Sequence, residues 1–269
     1  MGQFIGGFGA AFILAAAATV IMKFFLDINI IKDRKSVIAY SKISLSVIAI
    51  GAVYLFLAAM IFNSIKSRVN FFEFDTLFNF MGVKKTVGLC CDFDIRHAAD
   101  GLMMPLYPYI VNVIGKIVFN QYLLTASFIS FASACVSACV LYSLLSRKFT
   151  KEKSVNILLA AANLPYAFML FAPTYISFSL MLILLSALAL EKKNMLSFAA
   201  ATVLACASSK IGFISVLIYP LYRLNVFDFM ANVINKSKVL NNGVINRIIL
   251  AVLVTANGVI LSVLIRSIR

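Results

Sequence analysis

Five long stretches of the sequence carry no charged residue: Met1 to Met22, Ile43 to Ile65, Ile117 to Ser146, Ser154 to Leu190 and Ile248 to Ile265. Coiled as a helix, about 20 consecutive apolar residues match the ~30 Å hydrocarbon core of a bilayer. The composition agrees, with 62% hydrophobic and 13% charged residues and a mean hydropathy of +1.00. Soluble globular domains, disordered chains, collagen and coiled coils all need a different balance. The alternating ten-residue segments of an outer-membrane barrel are not seen. The expectation is an all-α, polytopic integral membrane protein, one domain over residues 1–269.

Spans are expected near residues 5–25, 43–63, 122–146, 155–171, 174–190, 195–209, 211–224 and 247–265, about eight in all. Ser154 to Leu190 is 37 residues, about 55 Å as a single helix and too long for one crossing. It therefore reads as a hairpin broken near Pro173. The segments on either side of Ser208, Ser209 and Lys210 are shorter than a usual span and read as partial helices meeting inside the protein. Such breaks are tolerated where they line a cavity or pack in protein. The first residues lack a basic start and run straight into a span-length segment, so no cleavable signal is expected.

A net charge of +14 would suggest nucleic acid in a soluble protein, but here the basic residues flank apolar runs and read as topology signals. No nucleic-acid partner is expected. Lys23, Lys32, Arg34, Lys35, Lys42, Arg147, Lys148, Lys151, Lys153, Lys192, Lys193, Arg223, Lys236, Lys238 and Arg247 fall on one side, 15 of the 24 Lys and Arg. That side is read as cytoplasmic. Residues 64–121 then face outward or into a lumen, placing the protein in the plasma membrane or the endoplasmic reticulum. Glu73, Asp75, Asp92, Asp94 and Asp100 lie in this loop, five of ten acidic residues, together with Arg96 and the only histidine, His97. Gly101 to Gly115 reads as an interfacial helix, with a further crossing as the alternative.

Cys135, Cys139 and Cys206 lie in apolar segments and read as small buried hydrophobes. Cys90 and Cys91 are adjacent in the polar loop, where a redox role is the alternative, though neighbouring thiols make a strained bridge. The chain holds no CxxC pair and no Cys/His ligand set.

Three elements carry the functional signal. The first is FFEFDTLF, Phe71 to Phe78, followed at a distance by GLMMPLYPYIVNVIG, Gly101 to Gly115. The second is LPYAFMLFAPTYISFSLMLILL, Leu164 to Leu185, with two prolines framing the turn of a hairpin. The third is LACASSKIGFISVLIYPLY, Leu204 to Tyr222, with one cation among small residues. Their order resembles the GT-C superfamily of membrane glycosyltransferases. Within it the chain looks most like the PIG-V-type family, which contains the second mannosyltransferase of GPI-anchor assembly and its prokaryotic relatives. The matching positions are Phe74-Asp75, Met103 to Pro108, Pro165 to Tyr175, and Ser209-Lys210-Ile211-Gly212. This chain has no tryptophan, no acidic residue near Ile176 and Ser177, and Lys210 where the family carries arginine.

The resemblance implies transfer of a hexose such as mannose from a polyprenyl-phosphate-linked donor to a lipid-linked or cell-surface glycan, on the non-cytoplasmic face. Such transfer needs a carboxylate to take the acceptor proton. Asp75, close to the membrane in an aromatic setting, is the candidate base, and a solvated loop carboxylate or helix cap is the competing reading. Arg96, His97 and Lys210 are candidates to meet the lipid phosphate. Surface charge pairing for the first two, and a snorkelling lysine for the third, are the plain alternatives. Asp92 and Asp94, spaced i, i+2, are a weak candidate for a divalent cation, which is the one cofactor entertained. Tyr107, with Tyr109, Tyr122 and Tyr175, is expected at the outer interface, as a belt residue or a substrate contact. A polymerase of lipid-linked repeat units, a lipid-linked sugar transporter and a non-enzymatic assembly partner remain open alternatives.

Overall fold

The computed structural model describes residues 40–46, 82–94, 102–162, 170 and 172–236. Throughout them the chain is helical, with no strand beyond one isolated antiparallel bridge between Met103 and Ser209. The helices are α1 (Val83–Cys91), α2 (Leu106–Ile117), α3 (Tyr122–Leu145), α4 (Lys151–Ala162), α5 (Tyr175–Glu191), α6 (Met195–Ser208), a 3-10 turn (Lys210–Phe213), α7 (Ile214–Arg223) and α8 (Val226–Lys236). Residues 40–46 are also helical. The spans expected at 5–25 and 247–265, and most of that at 43–63, lie outside the described residues, as does the second half of 155–171.

The longest helix, α3, contains no glycine, proline or charge over 24 residues. Two of its hydroxyls are bonded locally: Thr125 Oγ1 donates to the Gln121 carbonyl at 2.8 Å and Ser127 Oγ to the Leu123 carbonyl at 2.8 Å. That back-bonding lowers the cost of those polar side chains in an apolar helix, while buried Ser137 Oγ has no partner among the described residues. Among the described residues α3 alone is long and apolar enough to cross a bilayer unaided, with a mean hydropathy of 2.0. Helices α5 and α6 are apolar but have 17 and 14 residues, about 25 and 21 Å.

The breaks between helices have local causes. Helix α5 begins directly after Pro173, where the sequence places the turn of its hairpin. It ends at Lys193, whose φ of 59° lies in the left-handed region, while the Lys193 and Asn194 amides close onto the Leu190 and Ala189 carbonyls at 2.9 Å. Asn194 then caps α6 by accepting from the Ser197 amide at 3.0 Å, so one short loop both stops and starts a helix.

Helices α3 and α5 lie side by side and run the same way. Ser130 of α3 meets Thr174 at the start of α5, and Val140 packs with Leu185 and Leu188 further along. Helix α6 returns antiparallel, closing a core of Val140, Leu182, Leu185, Leu188, Ala189, Ala201 and Ala205. Alanines and serines at these contacts bring the backbones close, which favours dispersion over side-chain bulk. Helix α7 folds back along α6, with Phe198 and Tyr219 rings 6.1 Å apart. The two partial helices expected around Ser208 to Lys210 thus form a hairpin.

The bundle has two distinct ends. At one, Lys148 pairs with Asp228 at 2.5 Å, with Glu191 and Tyr222 also in electrostatic range. Tyr40 meets Tyr142 edge-on close by. The basic segments around residues 40, 147, 192 and 223 therefore gather at this end. At the other end a second core, Cys90, Met103, Tyr107, Val111, Ala126 and Ile129, joins α1, α2 and α3. Asn112 Nδ2 donates to the carbonyls of Cys90 at 2.6 Å and Cys91 at 3.2 Å, capping α1 from α2. Helix α2, with 12 residues, is about 18 Å long and too short to be a crossing by itself.

Candidate functional site

The end of the bundle opposite the basic cluster is where the described parts of the three sequence elements meet, Phe71 to Phe78 of the first lying outside the described residues. Leu102 to Met104 lies against the break between α6 and the 3-10 turn. The Met104 amide donates to the Ser208 carbonyl at 3.1 Å, and the Lys210 amide donates to the Leu102 carbonyl at 2.8 Å. Ser209, with φ −161° and ψ 160°, is the extended residue that makes this pairing geometry available. Its own hydroxyl caps the 3-10 turn by accepting from the Gly212 amide at 3.1 Å. Gly212 presses against the end of α6, since a Cβ there would stand 1.9 Å from the Ala205 carbonyl oxygen. The SSKIG run is thus a backbone clasp in which small side chains are required by contact.

The hairpin element joins through hydroxyls. Ser179 Oγ and Ser208 Oγ are 3.0 Å apart in the buried interior, and Ser130 Oγ donates to the Thr174 carbonyl at 3.0 Å. Tyr107, delivered by the Pro105 to Pro108 start of α2, packs its ring 5.9 Å from that of Phe178. Three buried hydroxyls here have no hydrogen-bond partner: Tyr107 Oη, Thr174 Oγ1 and Ser177 Oγ. Thr174 is the N-cap of α5 yet makes no side-chain cap. Burial pushes the Tyr107 phenol well above its ordinary range, with the Ser130 hydroxyl drawing it partly back. These three hydroxyls lie enclosed in the interior beside the N-terminus of α5.

The placement of one candidate differs from expectation. Tyr107 is not an interface residue, because its side chain is 0% exposed, enclosed by Cys90, Met103 and Phe178. Lys210 has its backbone clasped while its side chain is exposed at this end. Asp92 and Asp94 are exposed just past α1. Among the described residues no group of three or more His, Cys, Asp or Glu is placed to hold a metal ion, so those two carboxylates have no third ligand there. Asp75, Arg96 and His97 lie outside the described residues. Cys90 is buried in the second core and Cys91 exposed, with both thiols free. The residues that sequence reasoning missed are Ser130, Thr174, Ser177 and Ser208. Uncharged hydroxyls in apolar runs give no signal beyond their type.

No protein-family model, curated protein or solved structure matches the chain.

Proposed function

We propose that the chain is a polytopic membrane glycosyltransferase of the GT-C type, with its active site at the end that holds Met103 to Tyr107, Ala172 to Ser179 and Ser208 to Gly212. The observation that carries this reading is the convergence of those three segments, which are also the ones that carry the sequence resemblance. They lie far apart in sequence, and their meeting at the end away from the basic cluster fits a site on the non-cytoplasmic face. The apolar α3, with only 28% of its most apolar window buried inside the protein, supports a lipid surrounding.

The donor is a hexose, mannose by resemblance, on polyprenyl phosphate, and the acceptor a lipid-linked or surface glycan. The acceptor hydroxyl attacks the anomeric carbon and its proton passes to the Asp75 carboxylate. The bond from that carbon to the phosphate oxygen breaks, and polyprenyl phosphate leaves with the electron pair. Lys210, exposed at the site end, Arg96 and His97 are assigned to the phosphate charge, and Tyr107 to substrate contact. Asp92 and Asp94 are the residues that would hold a divalent cation, if one is used, by hard oxygen ligation.

The test is sugar transfer in membranes from labelled polyprenyl-phosphate sugars, comparing the native chain with Asp75→Asn and Lys210→Ala at matched expression. Loss of a general base lowers transfer by about 10²–10⁴-fold. Equal transfer by the Asp75→Asn chain removes Asp75 as the base, and no transfer by the native chain from any donor moves the reading to a transporter or an assembly partner.

A further inference from the structure

The basic end carries a helix that the proposed reaction does not use. Helix α7 ends at Arg223, Asn225 adopts a left-handed φ of 53°, and α8 departs at 74° to the segment before it. Helix α8 therefore lies across the end of the bundle. Asp228 on its polar side holds Lys148 of the loop after α3, and Ala231 turns inward and is buried. The remaining face is apolar and uncovered: Phe229 is 70% and Met230 53% exposed, continuous with exposed Phe227 and with Leu224 in the bend. At 100° per residue the apolar positions from Val226 to Ala231 occupy one broad arc, with Asp228 and Asn232 on the other.

The charges around this face decide what covers it. Arg147, Lys151, Lys193 and Arg223 are exposed at this end, beside the Lys148–Asp228 pair, against exposed Glu152 and half-buried Glu191. An apolar stripe edged by cations suits the boundary between acyl chains and anionic headgroups. A second protein would have to supply both an apolar groove and a ring of acid, whereas an anionic leaflet supplies both everywhere. We infer that α8 is an interfacial foot, lying flat in an anionic lipid surface with Phe227, Phe229 and Met230 inserted and Asp228 tying it to the bundle. The inference rests on the membrane reading of the chain but not on the glycosyltransferase chemistry.

The absence of tryptophan from the sequence makes the test clean. The full chain carrying Phe229→Trp is reconstituted in bilayers with bromine at shallow or deep acyl positions, with and without anionic lipid, beside a reference chain carrying Leu217→Trp on the exposed face of α7. Met230→Trp serves as a second reporter if the first variant folds poorly. The expected result is stronger quenching of the α8 reporter by shallow than by deep bromine, little quenching by aqueous acrylamide, and a fall in insertion when Arg147 and Lys151 are neutralised, by roughly fivefold for each charge removed. A reporter quenched by acrylamide and not by lipid overturns the inference, as does one shielded from both, which would mean that a second copy or another protein covers the face. Equal insertion into neutral and anionic bilayers overturns the role of charge. In each of these outcomes deep quenching of the α7 reporter leaves the membrane reading standing, and its absence removes that reading separately.

Discussion

Replacing Gly212 with alanine tests whether the clasp at the site end is held by backbone contact. The new Cβ would stand 1.9 Å from the Ala205 carbonyl oxygen, where ordinary contact begins at 3.4 Å, a shortfall of 1.5 Å. The nearest atoms are backbone of α6, so no side chain can rotate away. A shift of that size carries the turn off its partners, and three hydrogen bonds are at stake: Ser209 amide to Ala205 carbonyl, Met104 amide to Ser208 carbonyl, and Lys210 amide to Leu102 carbonyl. At about 1 kcal/mol net each, their loss costs ~3 kcal/mol, and overpacking alone costs about 1–3 kcal/mol. Allowing for partial relaxation, the expected loss is ~2–4 kcal/mol, or roughly 5–15 °C in the unfolding midpoint of a chain of this size. The assay is loss of helical circular dichroism on heating the purified protein in detergent. Gly88→Ala is the control, because a Cβ there meets nothing within 4 Å in α1 and should be neutral or stabilising by about 0.5–1 kcal/mol. An unchanged midpoint for Gly212→Ala, or an equal drop for Gly88→Ala, refutes the reasoning.

Tyr107→Phe removes a buried hydroxyl that makes no hydrogen bond of ordinary geometry and has the Ser130 hydroxyl as its polar neighbour, so stability should hold to within about 1 kcal/mol in the same melt, while a substrate that uses the phenol would show reduced transfer. A loss of stability would show that the phenol is bonded after all. Burial, with the neighbouring Cys91 adding to it, pushes the Cys90 thiol up to about 12, so alkylation near pH 8 followed by mass spectrometry should modify exposed Cys91 first and leave Cys90 protected until unfolding. Lys148 is raised above its ordinary value, chiefly by its hydrogen bond to Asp228. A raised lysine contributes stability that is full below its unfolded pKa and is lost as pH rises through the folded one. A double-mutant cycle of Lys148→Gln and Asp228→Asn should therefore give about 0.2–1 kcal/mol at neutral pH, as for an exposed pair, and fade above about pH 10.5.

Much of the helical layout could be read from local chemistry. The Pro173 turn, the Lys193-Asn194 reversal and the break at Ser208 to Lys210 depend on residues that act on their own backbone, so their signal is in the sequence. The clasp could not be read in the same way. Amide and carbonyl groups from Leu102 to Met104 and Ser208 to Lys210 make it, and every residue type carries those groups. Tyr107 illustrates a second limit: tyrosine suits both a membrane interface and a packed core, and only the position of Phe178 and Cys90 decides between them.

The bridge between Met103 and Ser209 also sets an order on the making of the protein. The first partner leaves the ribosome 106 residues before the second, an interval of about 5–20 s at ordinary rates of synthesis. Helices α3 and α5 can join through Ser130 and Thr174 well within that time. Helix α2 can dock against α3 early, but the segment leading into it, Leu102 to Met104, has no partner until the hairpin of α6 and α7 has emerged and turned. The site end therefore stays open until that hairpin has formed, and a chain halted before Ser208 would present its helices stacked but its clasp undone.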